Sequence, residues 1–146
     1  MYTIGQVSKM FDLPTSTLRY YDSQGLFPGM IRESGIRKFR QADIEALRFI
    51  ECLKKAGLEI KDIKRFMDWS VEGPSTYQNR KELLNAQKEK LEAEIVHMNQ
   101  VLDMLKFKCW YYDQAIQDGN EEHVKALIPD HLPDEMKEIY KNAHQD

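Results

Sequence analysis

MYTIGQVSKMFDLPTSTLRYYDSQGLFPGMIRESGIRKFR, residues 1–40, sets two short helix signals, an aromatic and basic cluster and a basic hairpin in direct succession. Thr3 stands where a hydroxyl caps a first helix, and Ile4, Val7 and Phe11 behind it recur at helical spacing. Asp12-Leu13-Pro14 breaks that helix, and Thr15 is the expected cap of the next. The second helix gathers Ser16, Thr17, Arg19, Tyr20 and Tyr21. Hydroxyl donors, a guanidinium and two phenols in one short stretch suit phosphates and base edges, a mixture few core helices need. Gly25 closes the helix, and Leu26-Phe27-Pro28-Gly29 turns the chain toward Ile36-Arg37-Lys38-Phe39-Arg40. Basic residues alternate there with apolar ones as in a short strand, the pattern of a wing. Together these features predict a DNA-binding head.

At these residues the chain resembles the MerR family of bacterial transcriptional regulators. The resemblance is carried by Thr3-Ile4-Gly5, then Thr17-Leu18-Arg19-Tyr20-Tyr21-Asp22, then Gly25-Leu26, then Arg37-Lys38-Phe39, and it spans residues 2 to about 112. Four elements in order make it specific, where a single Arg-Tyr-Tyr would not. It implies contacts to the major groove and flanking phosphates from Thr3, Thr15, Ser16, Thr17, Arg19, Tyr20 and Tyr21, with Arg37 and Lys38 from the wing.

Behind the wing, Gln41-Ala42-Asp43 leads into an apolar stripe of Ile44, Leu47, Ile50 and Leu53, ending at Lys54-Lys55-Ala56-Gly57 with Gly57 as the expected cap. Leu58 to Asp62 opens another helix, with Ile63, Phe66 and Met67 on one face. By resemblance this pair is a second wing, and it adds Lys55, Lys61 and Lys64 as phosphate ligands; the alternative, lysines that are merely solvated, stays open. Glu72-Gly73-Pro74-Ser75 marks the end of the head, with Ser75 or Thr76 placed to cap the next helix.

From there to about Tyr112 no Pro or Gly occurs, and Leu84, Leu91, Ile95, Met98, Leu102, Leu105, Cys109 and Tyr112 follow a coiled-coil spacing interrupted by Lys88. A helix of roughly 55 Å at 1.5 Å per residue carries more apolar stripe than so small a head can cover, so a second copy is expected on it. The resemblance implies an antiparallel pair. The expected organisation is therefore mainly α: a winged helix-turn-helix head over residues 1–73, an antiparallel coiled-coil dimerisation helix over 75–112 and a short helical tail over 113–146. The tail's helix runs from Asp134 through Tyr140. Two heads on a two-fold axis demand inverted half-sites. By resemblance, such a dimer bends and untwists an overlong promoter so that RNA polymerase engages both elements, a distortion that costs a few kcal/mol.

The charge distribution agrees with this division. The net charge is −3, but residues 1–66 hold 12 Lys and Arg against 8 Asp and Glu, while residues 67–146 hold 9 against 16. A basic head gains affinity by counterion release, and an acidic remainder stays off the phosphates. With 42% hydrophobic residues the chain is not disordered throughout. No signal segment or membrane-length apolar run is visible, so a cytoplasmic protein acting at the nucleoid is expected, without a membrane partner.

Two cysteines make no disulfide framework. Cys52 lies in Glu51-Cys52-Leu53-Lys54-Lys55, at a place where the aldehyde- and thiol-stress-responsive branch of the resembled family carries its proposed reactive thiol. Nearby cations favour a thiolate and the negative end of the helix opposes it. Electrophile or redox sensing and a small buried side chain filling a gap between helices both remain open. Cys109 lies on the seam, where two antiparallel copies stand far apart. No Cys-x-x-Cys occurs, His97, His123, His131 and His144 are scattered, and Tyr111 to Asn120 lacks the cysteine loop of the metal-responsive branches, so no metal and no cofactor are expected. Trp110, Tyr111 and Tyr112 with Trp69 either line a shallow aromatic pocket or pack the tail on the coiled coil. No phosphate loop, nucleophile elbow or paired His-Glu signature points to an enzyme. The functional alternative to an effector-responsive regulator is an architectural or interaction DNA-binding protein with no effector.

Overall fold

The computed structural model describes residues 1–145 and consists mainly of helices with one two-stranded hairpin. The chain divides into two units, Met1–Glu89 and Lys90–Asp146.

The first unit opens with α1 (Ile4–Phe11). Thr3 accepts from the Gln6 amide at 3.2 Å, and the Gln6 side chain accepts from the Thr3 amide at 2.8 Å, a reciprocal cap that satisfies two otherwise orphan donors. Asp12 ends the helix in the left-handed region, and α2 (Thr15–Ser23) follows. Pro14, with its fixed φ of −59°, takes the cap position of α2, and its carbonyl accepts from the Thr17 and Leu18 amides. Thr15 is therefore the first helical residue and not the cap. At the other end the Leu26 amide reaches the Tyr21 carbonyl and the Gly25 amide the Asp22 carbonyl, with Gly25 at φ 79° where a Cβ would be strained.

The wing is β1 (Ile31–Glu33) antiparallel to β2 (Ile36–Lys38), with Arg32 opposite Arg37. Its two-residue turn, Ser34-Gly35, has φ of 51° and 77°, both left-handed, the turn whose twist matches that of a hairpin. Beyond β2 the strand geometry continues into Phe39, which exchanges two hydrogen bonds of 2.8 Å with Tyr2 and so pins the amino terminus to the base of the wing.

Helices α3 (Gln41–Lys55) and α4 (Ile60–Glu72) complete the head. Asp43 is buried at the start of α3 and accepts from the Arg40 amide at 2.8 Å and from its guanidinium at 3.0 and 2.8 Å. The core combines Val7, Leu18, Tyr21, Leu26, Phe39, Ile44, Leu47, Ile50 and Ile63, each no more than 1% exposed, with Leu83 of the next helix packed against it. A short 3-10 turn, Pro74–Thr76, joins α4 to α5 (Tyr77–Asp118). Thr76 does not cap α5 with its side chain. Its buried hydroxyl donates back to the Trp69 and Gly73 carbonyls, and Arg80 donates to it at 3.0 Å.

The second unit contains the rest of α5 with α6 (Glu122–Leu127) and α7 (Asp134–Ala143). Its core is small: Phe107, Val124 and Leu132 are buried, with Tyr140 against Phe107 at 5.0 Å between ring centroids. Asn142 donates to Asp103 across the packed helices. Along α5 the apolar residues at coiled-coil spacing stay open to solvent, from 39% at Leu84 to 63% at Met98. Among the described residues no helix is long and apolar enough to cross a membrane.

Candidate nucleic-acid interface

The phase of α2 is set by Leu18 and Tyr21, one helical turn apart and both turned into the core. That phase sends Ser16, Arg19, Tyr20 and Ser23 outward, with Thr15 and Thr17 at the edges. Arg19 donates to the Thr15 hydroxyl at 3.4 Å, which holds the guanidinium along the helix surface.

Tyr21 does not join this face. It is 1% exposed; its hydroxyl donates to Glu51 and accepts from Lys54, both at 2.8 Å. Burial pushes its phenol up, and the bond to Tyr21 raises the Lys54 ammonium. The expectation of a surface contact at Tyr21 is corrected: the residue fastens α2 to α3. In the sequence the two tyrosines look equivalent, but only Tyr21 stands one turn from Leu18.

Asp22 fastens the other side. Its Oδ2 accepts from Arg32 of β1 at 2.9 Å and from Arg37 Nε of β2 at 2.8 Å, with the carboxylate only 10% exposed. Facing arginines on adjacent strands repel each other unless a carboxylate lies between them. Arg37 thus serves first to seat the wing on α2, and Lys38 beside it is half-buried. Sequence reading missed Arg32 and Asp22. The signal was the Ser34-Gly35 turn, which fixes the register that brings Arg32 opposite Arg37.

A second element borders α2. Tyr20 and Gln24 line an open cleft of about 640 Å³ with Leu58, Glu59, Ile60, Lys61 and Lys64 from the α3–α4 turn and the start of α4. Lys61 is exposed and only loosely paired with Glu59 at 3.4 Å, whereas Lys64 is held by Asp68 at 2.9 Å. The amide-bearing start of α4 adds positive potential to the same cleft. Lys55 is exposed near the end of α3 and does not line the cleft. Thr3 is exposed at the cap of α1, its hydroxyl occupied by the Gln6 amide.

Cys52 is exposed, which removes the reading of a small side chain buried between helices. It follows Glu51, which holds Tyr21, and lies two positions before Lys54, which does the same. Cys109 is also exposed. Trp69 belongs to the first unit, with the Arg65 guanidinium 5.9 Å from its ring centre, and Trp110, Tyr111 and Tyr112 to the second. Among the described residues no three of His, Cys, Asp and Glu group as a metal site.

Comparison with known proteins gives one consistent answer. The family described as MerR helix-turn-helix family regulatory protein matches residues 2–69, and that described as MerR, DNA binding matches residues 44–106. An uncharacterised helix-turn-helix-type transcriptional regulator of Haemophilus influenzae is 33% identical over 134 residues, 91% of this chain and 97% of that protein. HiNmlR, a MerR family regulator lacking the sensor domain and solved bound to promoter DNA, is 32% identical. It aligns with a TM-score of 0.66 over 84% of this chain and 98% of its own. A MerR family transcriptional regulator from Bacillus thuringiensis is 42% identical, with a TM-score of 0.62 over 74% of this chain and 96% of its own. The chain belongs to the MerR family of DNA-binding transcriptional regulators.

Proposed function

We propose that the chain binds an inverted-repeat promoter as a homodimer and acts on RNA polymerase indirectly, by altering promoter geometry. The observation that carries this reading is the outward face of α2, where Ser16, Arg19 and Tyr20 stand exposed between the wing and the basic cleft at the α3–α4 turn. In this reading Thr15, Ser16, Thr17, Arg19 and Tyr20 enter the major groove. Thr3, Arg37, Lys38, Lys55 and Lys61 meet phosphates. The promoter-bound state of HiNmlR supports it by similarity. Such a regulator works in the cytoplasm at the nucleoid, without catalytic turnover. In this reading the head is residues 1–73, the dimerisation segment 75–112 and the tail 113–146, although α5 itself runs from Tyr77 to Asp118, with Leu84, Leu91, Ile95, Met98, Leu102 and Leu105 forming an antiparallel seam. The open stripe of α5 supports this assignment.

The test is binding of the full chain to the DNA upstream of its own gene. A two-fold symmetric footprint with one dimer per site is expected, together with affinity that falls steeply as salt rises. Binding that ignores sequence, or that saturates with one chain per site, refutes the reading.

We assign the chain to the aldehyde- and thiol-stress branch, with Cys52 as the electrophile or redox sensor. Its exposure between two residues that hold Tyr21 supports this, because an adduct there perturbs the anchor of α2. Transcription in vitro from that promoter is expected to rise with a reactive aldehyde and to lose the response in Cys52→Ala. A response retained in the variant removes the assignment. A second reading, an architectural regulator without an effector, is favoured by one finding: HiNmlR lacks a sensor domain. It predicts transcription indifferent to aldehyde in wild type and variant alike.

A further inference from the structure

The second unit divides its aromatic residues between two tasks. Phe107 is buried and gathers Trp110 and Tyr140 at 5.8 and 5.0 Å between ring centroids, closing the core. Tyr111 and Tyr112 are left outside it. Their rings meet edge to face at 5.1 Å and line a recess of about 310 Å³, where Phe107 and Ile128 supply further apolar surface.

The charges around this recess are unbalanced. Glu121 is occupied, because Tyr111 donates to it at 2.8 Å, a bond that pushes the phenol up to about 12. Lys108 of α5 and Lys125 of α6 also line the recess, both exposed, and among the described residues neither forms an ion pair. Two free ammoniums beside one engaged carboxylate make this a positive spot within a stretch, residues 67–146, that is otherwise acidic. The volume is at the small end for ligand sites and fits one or two fused rings with a short polar arm.

We propose that this recess is a binding site for a small aromatic carboxylate, its ring against Phe107, Tyr111 and Ile128 and its carboxylate between Lys108 and Lys125, with Tyr112, the last residue at seam spacing, only at the rim. Aromatic walls favour a planar ring over an alkyl chain through edge-to-face contact. The paired ammoniums select the anion, since charge-assisted hydrogen bonds are the stronger class. This site belongs to the second unit and the α2 face and Cys52 to the first, and its occupancy requires neither DNA nor a thiol reaction.

Calorimetric titration of the full chain with 2-naphthoate tests it, with 2-naphthylmethylamine as a control of the same ring and opposite charge. Naphthoate is expected to bind saturably at one per chain and to shift the backbone amide resonances of Lys125 and Ile128. The Lys108→Gln/Lys125→Gln variant, altered only at exposed positions, is expected to keep its circular dichroism and to bind at least about tenfold more weakly, through the loss of both charged contacts. Lys125→Gln alone gives a smaller loss in the same direction. Absence of saturable binding, a loss well short of tenfold in the folded double variant, amide shifts confined to the first unit, or preference for the amine each overturns the proposal.

Discussion

The head and the long helix meet water in opposite ways. In the first unit nine largely apolar side chains from four helices, the turn after α2 and the base of the wing are sealed at 1% exposure or less. Along α5 the residues whose spacing marks them as core, Leu91, Ile95, Met98, Leu102 and Leu105, stand at 41 to 63% exposure. The head satisfies itself, whereas the helix presents a stripe that remains unfinished in a single chain. Apolar area left in water forgoes about 25 cal/mol per Å². In the proposed dimer, reading DNA and placing two readers at a set distance are separate problems, assigned to separate parts of the sequence.

The strongest way to break the contrast is to charge the stripe. Met98→Asp with Leu102→Asp is expected to give monomers in sedimentation velocity and to weaken promoter binding by roughly 10²-fold or more, the loss of a linked second half-site. The head's circular dichroism should be unchanged. A dimer that persists at micromolar concentration assigns the seam elsewhere. Leu47→Ala attacks the other side of the comparison. It empties a fully buried position and should cost about 2–5 kcal/mol in denaturant unfolding.

Arg19→Ala leaves both units folded and sharpens the assignment of the reading face. It should cost roughly 1–3 kcal/mol on the cognate promoter and less on unrelated DNA. Equal loss on every sequence makes Arg19 a phosphate contact. The smallest effect is expected from Tyr21→Phe, which deletes one buried hydroxyl and should lower stability by about 1 kcal/mol. Because burial raises the Tyr21 phenol above 10.0, its contribution is intact below that value. It is lost as pH rises from there through the raised value. In an ultraviolet titration the variant should lack one late-ionising tyrosine.

Much of the fold is legible along the chain. Helical spacing of Ile4, Val7 and Phe11, and of Ile44, Leu47, Ile50 and Leu53, marks α1 and α3 because each buries one face against a common core. The misreadings share a cause. Thr15 has the chemistry of a cap, but Pro14 precedes it with the dihedral already set, so a local competitor takes the position. Chemical type misleads at Tyr21, where helix phase decides: Leu18 turns Tyr21 inward. The same phase settles an open choice at Cys52, which Ile50 and Leu53 turn outward. The recess by Tyr111 is legible only in its two tyrosines, not in the lysines that border it. It depends on where α6 packs beside α5, a pairing that no local spacing encodes.

The bridge between Tyr2 and Phe39 also dictates an order of events at the ribosome. Tyr2 cannot reach its final position until Phe39 has followed it out of the exit tunnel. The core of the head stays open until Ile63 and Phe66 arrive with α4. Domains close from the amino terminus during synthesis. The head can therefore finish folding while the ribosome is still delivering Leu91 to Leu105. Most of the head thus emerges before Leu91 to Leu105, the part of the stripe proposed to take a second copy.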